Sequence, residues 1–265
     1  MDVTAVILPV LITLAFLIAF RFLVTLLPGS RRAMTATEAA YVRSNRRLAV
    51  LSALITLRAA GRVESRSGGF SLAATGTAPD DGDPLVRVLW EAGGDRDNAL
   101  VRAALRSMRR DLVRAGWLVP RTAQVFHFAV GAVLLAFLGR TWWVVIDTAE
   151  KNLAAGALVV FVILTTVAGA MLTIIVPRVT RAGDRAAEAL LAESPHITEP
   201  APTFERLGPG GAGLAVALLG TAPFFAMDYD FARQANVPQP DPGADGTSGG
   251  GCGGGCGGGG CGCGG

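Results

Sequence analysis

The chain has 265 residues, 51% hydrophobic and 17% charged, with a formal net charge of +3 and a mean hydropathy of +0.45. Soluble domains carry about 25% charge at similar apolar content, so the shortage of charge excludes a soluble enzyme filling the whole length and points to membrane. All four cysteines (Cys252, Cys256, Cys261, Cys263) lie in residues 249–265, which hold only glycine and cysteine, so no disulfide can staple a core elsewhere. Of the 24 basic residues 23 are arginine, Lys151 being the exception. Arginine, alanine and glycine share GC-rich codons, so a GC-rich genome explains the bias and arginine abundance alone is no sign of phosphate binding.

Residues 3–27 are the first predicted span. Val3 to Phe20 carries no charge, and Arg21, Arg31 and Arg32 follow. A crossing helix needs about 20 apolar residues, and Arg21 can snorkel from the inner end. Asp2 precedes the apolar run and arginines follow it, the reverse of a secretory signal, so the segment reads as a retained anchor with the N-terminus outside.

Residues 28–122 read as a helical, winged-helix-like cytoplasmic domain. Thr35 and Glu38 form a T-x-x-E capping signal, and a second helix from Arg46 to Ala60 carries Leu48, Leu51, Leu54, Ile55 and Leu57 before the stop at Gly61. RVES, the turn RSGG and FSLA then predict a hairpin. Asp83 and Pro84 suit the cap and first residue of a short helix, and a longer one runs from about Asn98 to Ala115, with Arg102, Arg106, Arg109, Arg110 and Arg114 on its polar side. Leu57-x-x-Ala60-Gly61-x-Val63 is echoed by Leu112-x-x-Ala115-Gly116-x-Leu118, which reads as a shared helix-to-strand joint. Arg46, Arg47, Arg58, Arg62 and Arg66 offer a winged helix its phosphate contacts. A protein-interaction or structural role is preferred over nucleic acid, because anionic lipid suits a basic surface equally well.

Residues 124–146 and 153–176 are the second and third predicted spans. The former contains His127 and the Arg140–Trp142–Trp143 cluster expected of an aromatic belt. Arg21, Arg31, Arg32, Arg121 and Arg178 flank the spans and place 28–122 and 177–208 in the cytoplasm. Residues 209–227 are long enough to cross but hold two prolines and four glycines, leaving three or four spans open. Residues 228–265 form a predicted disordered tail whose compartment depends on that choice.

Chemistry-bearing motifs are scarce, and no catalytic or cofactor-binding residue is assigned. Gly208-Pro-Gly210-Gly-Ala-Gly213 matches G-x-G-x-x-G but lacks the preceding strand that a dinucleotide site needs. Two histidines, His127 and His196, do not assemble a metal site or a triad. Cys252-x3-Cys256-x4-Cys261-x-Cys263 lacks the C-x2-C knuckle of zinc folds. Its thiols are incidental to a low-complexity tail, sites of covalent linkage or recognition, or speculative ligands for a soft metal such as Cu(I) or Zn(II).

The N-terminal span, the ALITLRAAGRVES joint, the paired later spans, the PRVTRAGDRAAEALLAE and LAVALLGTAPFF…DFARQA segments and the GGGCGGGCGGGGCGCGG end together resemble a family of uncharacterised, mainly actinobacterial membrane proteins whose domain precedes a Gly/Cys-rich tail. The resemblance implies a multi-pass plasma-membrane protein and carries no activity. The expectation is a mainly α, non-enzymatic scaffold or interaction protein, with the lipid bilayer and an unidentified protein as partners and no substrate assigned. A thiol- or metal-handling protein and a membrane-tethered transcriptional regulator are the alternatives.

Overall fold

The computed structural model describes residues 3–26, 28–30, 32–65, 72–74, 76, 77, 79, 82–149, 160, 163–167, 169, 171, 178–198 and 203–239. The chain is mainly helical: α1 (Val3–Thr25), α2 (Ala36–Arg43), α3 (Arg46–Ala59), α4 (Pro84–Glu91), α5 (Ala99–Arg114), α6 (Arg121–Ala149), α7 (Arg181–Glu193), α8 (Phe204–Leu219), α9 (Ala222–Met227) and α10 (Tyr229–Gln234). A two-stranded hairpin, β1 (Val63–Ser65) and β2 (Leu72–Ala74), pairs antiparallel with Val63 opposite Ala74. Residues 160, 163–167, 169 and 171 are helical, and Pro195–Thr198 form a 3-10 turn.

Local signals set the helix ends. Thr35 and Glu38 make the full capping box on α2; Asn45, Asp83 and Asn98 cap α3, α4 and α5 through their side chains, with Pro84 opening α4. At the other end, α3 and α5 close alike: Gly61 N–H donates to Arg58 O and Arg62 N–H to Leu57 O, just as Gly116 does to Val113 O and Trp117 to Leu112 O. Gly61 and Gly116 have φ of 66° and 73°, so the two echoed motifs are the same left-handed helix stop.

The helices form two bodies of packing. In the first, Leu17 of α1 buries against Leu134 and Leu138 of α6, and the Phe20 and Phe126 rings meet at 4.9 Å, so α1 and α6 run antiparallel. Trp142 Nε1 donates to Thr166 Oγ1 at 3.2 Å and a Cβ at Gly169 would sit 3.0 Å from Leu134, which brings the helical residues 163–167 and Gly169 back along α6. Of 23 exposed large apolar side chains among the described residues, 20 belong to α1 with Leu26, to α6 and to residues 160–171. By length and composition one described helix can cross a membrane, α6 over Arg121–Arg140; a shorter apolar stretch covers Leu11–Thr25.

The second body is a helical module centred on α3. Residues 48–57 of α3 are all buried, covered by α2, α4 and α8. The helix–helix–hairpin order expected of a winged helix is present, but a recognition helix needs an open face and α3 has none in its middle turns. Two of its arginines are also engaged: Arg58 Nε pairs with Asp228 Oδ2 at 3.0 Å and stacks over Phe231, and Arg47 donates to Asn236 O. Arg66 lies outside the described residues.

Residues 209–227, weighed above as a fourth span, instead complete this core. Gly208, at φ 65°, breaks α8, and Pro209 restarts it in the first-turn position that tolerates proline. Ala212, Gly213, Ala215, Val216, Ala217 and Leu218 of α8 are buried, with α3 and α2 packed on this helix. The backbones approach closely: Ser52 Oγ donates to Gly213 O at 2.8 Å, and any Cβ on Gly213 would collide with Thr56 Oγ1. Phe224 of α9 and Phe231 of α10 stack with centroids 6.0 Å apart and are buried. The module therefore does not end at residue 122; residues 204–237 are part of it, and 177–208 supplies α7 against α2 and the buried Ile197.

Val216, Leu218, Phe224 and Phe231 contribute roughly 6–12 kcal/mol at about 1.5–3 kcal/mol per buried side chain. That matches the whole stability of a typical domain, about 5–15 kcal/mol. Ending the chain after residue 202 is expected to open residues 36–119 to protease, whereas ending it after 239 leaves them resistant. Limited proteolysis of the two purified chains checks this; equal resistance sinks the shared core.

Candidate functional site

The two bodies meet where three linkers converge. Pro28–Ser30 follow α1, Ala115–Pro120 join α5 to α6, and Arg178–Thr180 lead into α7. The stop at Gly116 turns the chain from helix into an extended run, and Leu118 pairs antiparallel with Val179 in an isolated bridge. Val119 N–H donates to Arg178 O at 3.0 Å and Thr180 N–H to Trp117 O at 3.1 Å. Thr180 Oγ1 donates to Gly116 O at 2.6 Å and, as N-cap of α7, accepts from Gly183 N–H. Ser30 N–H donates to Ala115 O at 2.7 Å, tying in the first linker.

Trp117, 1% exposed, is the centre of this collar. Three glycines let the backbones close around it. A Cβ on Gly29 would meet Ala182 and the indole; on Gly116 it would strike Pro28 O; on Gly183 it would lie 2.6 Å from Trp117 O. Arg32 Cζ sits 4.9 Å over the indole ring, and its guanidinium pairs with Glu38, whose other oxygen accepts Thr35 N–H in the capping box. Arg181 covers the Phe22 ring of α1 at 4.9 Å, joining α7 to the end of the first apolar helix. The collar holds no nucleophile–base pair; what it does is fix the position of α1, α6 and α7 relative to the module.

Among the described residues, the positions singled out in the sequence lie apart from one another. Cys252, Cys256, Cys261 and Cys263 lie outside the described residues. His127 is 2% exposed on α6, facing a cleft lined by Phe20, Arg21 and Val24 of α1, while His196 is exposed in the 3-10 turn. Gly208 to Gly213 belong to α8, with Gly213 against α3, so the G-x-G-x-x-G match sits in a helix interface. Among the described residues no three His, Cys, Asp or Glu side chains gather as a metal site. An open groove of about 430 Å³ runs between α9 and α10, lined by Phe225, Asp230, Arg233, Asn236 and Gln239 among others. Burial raises the Tyr41 phenol above its ordinary range, opposed by Arg109, Arg46 and Arg121. Burial, with Arg47 adding to it, lowers the Arg96 guanidinium.

Sequence reasoning missed Trp117, Thr180, Gly29 and Gly183. The available signals were a tryptophan directly after a helix-stopping glycine and a threonine at the cap position three residues before Gly183. No protein-family model, curated protein or solved structure matches the chain.

Gly61 and Gly116 share one conformation but not one environment, since nothing lies within 4 Å of a Cβ at Gly61. Gly61→Ala should cost about 1 kcal/mol from the left-handed backbone alone. Gly116→Ala adds a backbone collision and should cost about 2–4 kcal/mol. Thermal unfolding of the two variants checks this; equal losses remove Gly116 from a close-packed junction.

Proposed function

We propose that the chain is a non-enzymatic, membrane-anchored interaction protein, in which three helices hold a single helical module and the Gly/Cys tail on the cytoplasmic side. The observation that carries this reading is the concentration of exposed large apolar side chains, 20 of 23 among the described residues, on α1 with Leu26, on α6 and on residues between 160 and 171, an arrangement that water penalises and a bilayer rewards. With 23 and 29 residues, α1 and α6 reach about 35 and 43 Å at 1.5 Å per residue, against a hydrocarbon core of about 30 Å.

The bridge between Leu118 and Val179 supports the number of crossings. The chain leaves the module at Pro120 and returns beside it at Arg178, so the segment between them crosses an even number of times. With α6 as one crossing, residues 160–171 antiparallel to it are the return. Residues 204–237 then lie in the same core as α3, which favours three spans over four and starts the tail on the module's side. Arg21, Arg32, Arg121 and Arg178 lie toward that end of the helices, which supports reading it as the cytoplasmic side with the N-terminus outside.

A transcriptional role is disfavoured by the burial of α3 along residues 48–57. The thiol or metal reading is kept as the second one, because a tail that starts on the module's side places Cys252, Cys256, Cys261 and Cys263 in a reducing compartment, free to act as soft ligands.

The four tail cysteines are the only ones in the chain, so a membrane-impermeant maleimide reports the tail alone. Intact cells should leave the protein unlabelled, and lysis should bring all four thiols into reaction. Labelling without lysis would put the tail outside and overturn the three-span arrangement.

A further inference from the structure

We propose that the cleft between α1 and α6 that holds Arg21 receives a phosphate oxygen of an anionic phospholipid, an inference that rests on the membrane reading above. Leu17, Arg21 and Val24 recur at intervals of four and three, so they share the face of α1 that packs on α6, where Leu17 and Val24 are buried. Gln124 and His127 sit three apart on α6, and Leu134, one heptad beyond His127, meets Leu17 in the same seam. An apolar helix pair would continue this seam with aliphatic side chains. Here Arg21, Gln124 and His127 instead line one cleft, whose apolar walls are Phe20, Val24 and Ala123.

The cleft has the chemistry of an anion site, since none of the residues lining it is acidic. Arg21 is half-buried there, whereas Arg121, Arg140 and Arg178, at the ends of the apolar helices, are exposed. Its guanidinium supplies charge-assisted N–H donors and the Gln124 carboxamide a neutral one, while His127, itself engaged within the fold, forms the buried wall. A volume of about 10 Å³ admits one oxygen-sized guest, so the rest of the phosphate stays at the mouth. The surroundings select a lipid over a dissolved anion. Arg21 lies one helical turn before Thr25, the end of α1, or about 6 Å at 1.5 Å per residue, which is headgroup depth on the module's side. Phe20, a wall of the cleft, meets Phe126 at 4.9 Å, and Phe126 meets Phe16 at 6.4 Å. Phe16 and Phe126 are about half exposed, so a surface fit for an acyl chain begins at the edge of the cleft and runs on toward the bilayer interior. A basic pocket between membrane helices on the cytoplasmic side is the setting in which lipid headgroups are recognised.

The test uses the full chain reconstituted in vesicles of phosphatidylcholine, alone or mixed with phosphatidylglycerol, then extracted in detergent and weighed by native mass spectrometry for retained lipid. Wild type should float with both kinds of vesicle and retain phosphatidylglycerol preferentially, because the choline of phosphatidylcholine offsets its phosphate. R21Q should lose about tenfold or more of that preference, and R21K, which keeps the charge without the planar fork, should lose less. A123L fills the cleft while leaving every charge in place and should lose the preference as R21Q does. R121Q removes one exposed charge from the same end of α6 and should retain it. Equal loss in R21Q and R121Q means surface charge alone and overturns the site. Full preference in A123L overturns it too, because the cleft is then not entered, and so does a wild type that floats yet retains both lipids equally. Inorganic phosphate binding the detergent-purified chain as tightly as phosphatidylglycerol also overturns it, because the ligand is then not a lipid. Failure to float at all would instead bring down the membrane reading on which the proposal stands.

Discussion

Trp117 and Val179 belong to stretches of chain separated by residues 120–177, and two backbone hydrogen bonds join them side by side. Closing a long loop costs conformational entropy, and two hydrogen bonds worth about 1 kcal/mol each do not cover it. The remainder comes from what the bridge assembles: a buried indole, close approaches at three glycines, a capped α7 and an arginine stacked on the indole while paired to Glu38. Remove the bridge and α7 loses its cap, because Thr180 is both a bridge neighbour and the N-cap. Residues 204–237 would then reach the α3 core from an unfixed starting point.

The α3–α8 crossing shows why apolar composition was ambiguous here. Small residues in α8, with Gly213 against Thr56 and Ser52, allow a close approach that membrane helices also use. What separates the two cases lies elsewhere in the chain. Residues 48–57 of α3 are buried on every side, and α2 and α4 alone leave one side uncovered. The apolar residues of α8 cover that side, and they are therefore not available to lipid.

Much of the fold was legible because its signals are local. The capping box at Thr35 and Glu38, the Asp83–Pro84 start and the two glycine stops all act within six residues, and each sits where the sequence places it. The candidate site was scarcely legible. Gly116 was visible as a helix stop, but its contact with Pro28 and the contact of Gly183 with Trp117 join segments far apart in sequence, and periodicity carries no information about such pairs. The same limit explains the module boundary. A core completed by residues about 150 positions downstream leaves no trace in residues 28–122 except an α3 more apolar than a surface helix needs to be.

The collar also settles how the module can move relative to α1 and α6. Flexible linkers would let the module swing independently of α1 and α6, but here Gly116 and Gly183 leave no room for a methyl group against a neighbouring backbone, nor does Gly29 against Ala182 and the Trp117 indole. Close-packed interiors shift between discrete arrangements rather than deforming smoothly. A change in the tilt of α6 therefore acts on Val119 and Trp117 two to four residues away, and through Thr180 on the cap of α7. Helix α7 packs on α2, which contacts α3 and α8 in turn, so the path from the apolar helices to the module's centre runs through packed contacts at every step. A chain built this way holds its module at one fixed orientation to the apolar helices, and that orientation decides which of the module's surfaces stay open.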